Sequence, residues 1–230
     1  MSTILVVVAH ADDEALGCGG TMARHAAAGD AVHVAILADG VTARAAKYTP
    51  GLNLEEIESR EAAARKACQI LGAQEPHFFR LPDNRCDAVP LIEIAKIIEG
   101  IIVRVRPDTV LTHHAGDLNI DHRRVHEAVL TAARPLAGQT VRRIHCFEVL
   151  SSTEWSSPIS EPFRPQRFVD ISKTLDLKLA AVAAYDAEMR PFPHPRSAEA
   201  ITSLARLRGA TAGLQAAEAF TVVRDIADQD

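Results

Sequence analysis

The sequence predicts an α/β fold: a single domain, residues 1–230, in which helices cover a mostly parallel sheet. Three observations carry that expectation. Continuous β-branched runs, beginning with Ile4 to Ala9, suit strands buried on both faces of a parallel sheet. Helix-period segments alternate with those runs along most of the chain. No repeat, low-complexity tract or linker divides the 230 residues, and that length suits one sizeable core.

The elements follow in order. Residues 3–9 read as the first strand, and the polar turn His10 to Glu14 leads into a helix running to about Ala28. Gly29-Asp30 stops it. Ala31 to Ala38 repeats the β-branched pattern and completes a βαβ unit, for which a right-handed crossover is expected. Residues 40–53 read as a loop. Leu54 to Leu71 carries Ile57, Ala64, Cys68 and Leu71 along one side and ends at Gly72. Pro76 to Leu81 is a short strand, followed by the turn Pro82-Asp83-Asn84. Pro90 to Val105 is helical, Pro107-Asp108 breaks it, and Thr109 to Thr112 is a strand aimed at His113. Asp121 to Arg134 reads as a helix and Ile144 to Leu150 as a strand. The Ser- and Pro-rich stretch from Ser151 to Pro165 is irregular, and loops that long are often functional. Phe168 to Ile171 is a further strand. Helices over Ser172 to Glu188 and Ser197 to Ala217 bracket Pro191, Pro193 and Pro195, and Phe220 to Arg224 is the last strand.

Composition narrows the function. Charged residues make up 24% and the net charge is -5 without long runs of either sign, so nothing marks a nucleic-acid or anionic-membrane partner. The apolar run at Ile4 to Ala9 is too short for a membrane span or a signal core, and a cytoplasmic location is expected. Cys18, Cys68, Cys86 and Cys146 are widely spaced, with no Cys-x-x-Cys pair, and read as free thiols.

Two polar clusters fall at predicted strand ends, where open α/β sheets bind ligands. The first is His10-Ala11-Asp12-Asp13-Glu14; the second runs from His113 to His122. Taken singly, Asp13, Glu14, Asp121 and His122 could be helix-start residues that cap or complement a dipole. That does not account for a histidine and two aspartates at a buried strand end, where desolvation costs several kcal/mol unless the groups are paired or bind metal. His10 and Asp13 can converge across the turn. With His122 they form a two-His, one-carboxylate set that leaves an open position, as catalytic zinc requires, and that also suits another divalent ion such as iron. Asp12 is then free to act as a general base. His25, His33, His77 and His145 lie within predicted elements and read as structural or surface residues.

At these residues the chain resembles the PIG-L/LmbE-like family of zinc N-deacetylases. The family signature Ala-His-Pro-Asp-Asp-Glu stands here as Ala9-His10-Ala11-Asp12-Asp13-Glu14, followed by Gly17-Cys18-Gly19-Gly20. The second motif, His-Pro-Asp-His, stands as Asn119-Ile120-Asp121-His122. The resemblance implies a Rossmann-like three-layer sandwich and one Zn2+ per chain on His10, Asp13 and His122. It also implies hydrolysis of an acetamido group by metal-activated water, with Asp12 as base and a sugar or sugar conjugate as substrate. Asp121 keeps the motif's acidic neighbour. Asn119 replaces a histidine that the family uses on the reacting carbonyl; it can donate a hydrogen bond but carry no proton, and His113, His114 or His126 stand near in sequence to supply a cation. Arg44, Arg60, Asp83 and His114 fall where substrate contacts are expected. Arg196, Arg206 and Arg208 are a weaker family-like cluster, and a homo-oligomer is compatible with it.

Two other readings stay open on the sequence. Gly17-x-Gly19-Gly20 after the first strand suggests a nucleotide-binding turn, although the preceding carboxylates would repel a pyrophosphate. A homologue that keeps the metal and binds sugar without turnover is compatible with Asn119.

Overall fold

The computed structural model describes residues 1–44 and 54–227. Seven strands form one sheet in the order β3-β2-β1-β4-β5-β7-β6. They are β1 (Thr3–Val8), β2 (Ala31–Ala38), β3 (His77–Leu81), β4 (Thr109–His113), β5 (Arg143–Phe147), β6 (Arg167–Asp170) and β7 (Ala217–Asp225). The helices are α1 (Asp13–Ala27), α2 (Leu54–Leu71), α3 (Leu91–Val105), α4 (Ile120–Ala132), α5 (Leu175–Ala183) and α6 (Ala198–Thr211). β1 to β5 are parallel, β7 runs antiparallel to both its neighbours, and so the sheet is mostly parallel as expected.

The apolar run of β1 has the predicted cause. Ile4, Val6 and Val8 face one core with α1, α2 and α5, where Leu16, Met22, Leu71 and Val182 pack. Leu5, Val7 and Ala9 face a second core with α3 and α4, built on Ile94, Ile98, Val125 and Val129. Each strand residue is therefore buried whichever way it points, which only a covered sheet allows.

Several ends differ from the sequence expectation. α5 covers 175–183 rather than 172–188, because Tyr185 leaves helical geometry (φ -95°, ψ 51°) and a short 3-10 turn, Asp186–Glu188, follows. α6 stops at Thr211 rather than 217: the chain reverses at Gly213 (φ 74°) to enter β7. β5 ends at Phe147 rather than 150, since the Val149 amide donates to Thr153 Oγ1 at 2.8 Å in a local turn. β7 is longer than 220–224 because β5 and β6 pair with its two edges. The expected loop over 40–53 contains a short 3-10 turn at Thr42–Arg44, and residues 45–53 lie outside the described residues.

Candidate metal centre and active site

β1 and β4 are adjacent parallel strands, and the sheet order reverses between them. Their carboxyl ends open into one crevice, the expected ligand position of such a sheet. β1 delivers His10 to Asp13 into it; β4, through the 114–119 loop, delivers the start of α4. Both polar clusters of the sequence thus meet.

His10, Asp13 and His122 offer ligand atoms that lie within 4.8 Å of one another, all on buried residues. Asp13 Oδ2 is the hub, 3.4 Å from His10 Nδ1 and 3.3 Å from His122 Nε2. The far nitrogen of each imidazole faces a carboxylate. His10 Nε2 is 3.1 Å from Asp121 Oδ2 and 3.0 Å from Asp83 Oδ1, and His122 Nδ1 is 3.1 Å from Asp117 Oδ1. Carboxylates behind imidazoles are the usual means of aiming the inner nitrogens at a metal. His10, Asp83 and Asp121 also form a geometric cluster of their own. Asp121 accepts the Asn84 and Cys86 amides at 2.7 and 2.9 Å while its Oδ2 faces His10.

The electrostatics ask for a cation at this spot. Burial opposes charge on both imidazoles, yet Asp13 and Asp117 raise His122 to about 9, and Asp121, Asp13 and Asp83 raise His10 well above its usual value. Asp13 Oδ1 is buried without a hydrogen-bond partner among the described residues. An acid-rich, desolvated donor set with one unpartnered carboxylate oxygen fits a divalent ion.

Asp12 stands beside this set with φ 123°, a strained value for a residue with a side chain. The strain is held from several sides. Its amide donates to Glu14 Oε2 at 3.1 Å, and its carbonyl accepts the Leu16 amide at 2.9 Å. Arg196 Nη1 donates to Oδ2 at 2.8 Å. Glu14 is in turn fixed by the Tyr185 hydroxyl. Asp12 Oδ1 is buried and has no hydrogen-bond partner among the described residues. Burial raises the Asp12 carboxyl, with Arg196 pulling the other way.

The remaining expected residues divide. Arg60 belongs to the group: its Nη2 donates to the Ala11 carbonyl at 2.9 Å, lies 3.9 Å from Asp12 Oδ2, and its Nη1 pairs with Glu188. Asp83 is present, with its carboxylate on His10. Asn119 caps α4, accepting the Asp121 amide on Oδ1 at 2.8 Å while Nδ2 donates to Asn84 at 3.1 Å. His113 stacks on His122 with centroids 3.9 Å apart, and its Nε2 accepts the Ala9 amide. Burial and the neighbouring His122 push it down to about 3, so it is a neutral spacer. His114 and His126 are engaged elsewhere, on the Glu161 and His113 carbonyls. Arg44 ends its 3-10 turn, and its side chain lies outside the described residues. Arg208 forms a two-pronged pair with Glu148 of the same chain.

Asp117, Glu188 and the Arg196 contact to Asp12 were not legible as site features. Asp117 also takes hydrogen bonds from Ser152 and Thr153, so the irregular 151–165 stretch buttresses a residue behind His122. The glycines after β1 serve packing rather than phosphate. A Cβ on Gly17 would overlap the Phe147 ring, and one on Gly20 would overlap Ile171. α1 kinks at Cys18, and the amides of Gly20 and Thr21 are taken by the Glu218 carboxylate at 2.9 and 2.7 Å. All four cysteines are free and buried, and no described helix is long and apolar enough to cross a membrane.

Comparison with known proteins gives the chain's relatives. The family described as "PIG-L: GlcNAc-PI de-N-acetylase" matches residues 5–133. The chain is 30% identical over 187 residues to "4-oxalmesaconate hydratase" of Pseudomonas putida, covering 77% of this chain and 70% of that one. It is 30% identical over 185 residues to "Uncharacterized deacetylase YaiS" of Escherichia coli, covering 78% and 88%. Among solved structures, the conserved protein TT1542 of Thermus thermophilus superposes with a TM-score of 0.77 at 28% identity, covering 100% of this chain and 98% of that one.

Proposed function

The chain belongs to the PIG-L family of de-N-acetylases, and from that premise we propose that it hydrolyses the N-acetyl group of a sugar or sugar conjugate. The reaction uses one divalent cation, zinc, held by His10, Asp13 and His122. The observation that carries this reading is the convergence of those three donors beside Asp12, whose Oδ1 is buried and unpartnered among the described residues. A cation bound there polarises an amide carbonyl and makes water a competent nucleophile near neutral pH.

The protein's own part follows from its contacts. Asp12 Oδ1 accepts a proton from the attacking water while Arg196 holds Oδ2, so the carboxylate cannot rotate away. Asn119 has its oxygen committed to the helix cap and carries no proton to give. Asp12 therefore also returns the proton to the departing amine. The Arg60 and Arg196 guanidinium groups neutralise the acidic cluster and face a substrate of polar or anionic character.

A second reading has specific support: the non-ionisable Asn119, together with a relative that bears the name of a hydratase. On that reading Arg60 and Arg196 hold a carboxylate of an unsaturated acid, and Asp12 moves the proton of water adding across a carbon–carbon double bond. One experiment separates the two. Zinc-loaded protein is given an N-acetylglucosaminide and, separately, a conjugated unsaturated dicarboxylate. Amine release supports deacetylation, loss of conjugated absorbance supports hydration, and sugar binding without amine release marks a homologue without turnover. In the active assay, Asp12→Asn lowers kcat by about 10²–10⁴-fold; full turnover in that variant overturns the assignment of the base.

A further inference from the structure

A cavity lies at the opposite end of the strands from the candidate metal centre. Its volume is about 350 Å³, and Ile4, Thr109 and Arg143, which line it, stand at the amino ends of β1, β4 and β5. The candidate metal ligands follow the carboxyl ends of β1 and β4. The length of a strand, roughly 15–20 Å, therefore separates the two regions.

The lining has two characters. Ile4, Leu111, Val169 and Phe220 give an apolar floor. Around it stand Thr21, His145, Arg143 and Arg167, with one carboxylate, Asp225, also in the wall. Two of these carry an unusual burden. Thr21 and His145 are each 2% exposed, and Thr21 Oγ1 and His145 Nε2 have no hydrogen-bond partner among the described residues. Buried polar atoms left in that condition cost about 1–3 kcal/mol each. Both residues line the cavity. Arg143 is already paired with Asp108 at 2.6 Å, whereas Arg167 is exposed at the rim and close enough to depress the His145 imidazole.

We propose that this cavity binds a small carboxylic acid with an apolar body, at a site separate from the metal centre. The carboxylate pairs with the Arg167 guanidinium and accepts from the Thr21 hydroxyl and the His145 ring. The hydrocarbon part covers Ile4, Leu111, Val169 and Phe220. The volume falls at the lower end of small-molecule sites, which suits a ligand of about ten heavy atoms. Inorganic phosphate fits less well, since it leaves the floor uncovered and sheds a larger hydration shell.

The test is calorimetric titration of the full chain with benzoate as the probe, beside inorganic phosphate. Arg167→Glu is the informative variant because the side chain is exposed and its loss leaves the core intact. The expected result is saturable benzoate binding that weakens at least about tenfold in Arg167→Glu and is unchanged in His122→Ala. Absence of benzoate binding to the wild type at millimolar concentrations overturns the proposal. So does equal affinity in Arg167→Glu, loss of binding in His122→Ala, or a preference for phosphate over benzoate.

Discussion

At the scale of single residues, position in the fold decides what each titratable group does. His113 and His145 are both buried and neutral, yet one is stacked on a candidate metal-ligand histidine and the other lines a remote cavity. Burial holds His145 down to about 4, helped by the charges of Arg167, Arg143 and His25, while Asp225 opposes. A folded-state value of about 4 against 6.5 means that the unfolded chain binds more protons between those limits. Stability therefore falls as pH drops from about 6.5 to about 4, by on the order of 3 kcal/mol from this residue. Urea unfolding at steps across that range, compared with His145→Asn, checks this: the variant loses that part of the slope. An unchanged slope contradicts the assignment. Asp12 shows the opposite case, a strained backbone kept because Glu14, Leu16 and Arg196 all fix it. The sequence marked Asp12 by its neighbours, but Arg196 lies 184 positions away and only folding brings it there.

At the scale of elements, α1 is the piece on which the site depends. Its first residue is a candidate ligand, and its kink at Cys18 exposes two amides that Glu218 of β7 accepts. Lys178 of α5 pairs with the same carboxylate and donates to the Leu16 carbonyl at 2.8 Å. Three elements are thus tied at one buried ion pair. Glu218→Ala leaves a buried ammonium without its counter-ion and two amides without an acceptor, and it lowers unfolding free energy by about 3–5 kcal/mol in denaturant titration. A loss below about 1 kcal/mol would mean that the pair is dispensable. None of this was visible in Gly17-Cys18-Gly19-Gly20, which read as the continuation of the signature motif or, against the preceding carboxylates, as a nucleotide-binding turn. The small residues are there for Phe147 and Ile171, whose approach no local pattern encodes. Strands and helices with strong periodicity, such as β1 and α3, were legible because burial on one or both faces dictates their pattern. The ends of α5, α6 and β5 were not, since turns at Tyr185, Gly213 and Thr153 set them.

At the scale of the whole molecule, the sheet order puts β1 beside β4 and so joins two stretches more than a hundred residues apart. The sequence supplied both clusters and the expectation that they meet; the supporting carboxylate Asp117 and its props Ser152 and Thr153 emerged only from the fold. A cation on His10, Asp13 and His122 cross-links α1 to α4, so it stabilises the folded chain by mass action. At about a thousand times its dissociation constant it adds about 4 kcal/mol, or roughly 10 °C in Tm for a chain of this size. Thermal unfolding with and without a chelator should show that difference in the wild type and none in His10→Ala. A chelator-insensitive wild type would contradict it.

The most direct test is metal analysis of the purified chain after zinc loading and desalting, alongside His122→Ala. The account predicts about one zinc per wild-type chain and a stoichiometry near zero in the variant. A wild type that retains no metal, or a His122→Ala protein that retains as much, would contradict it.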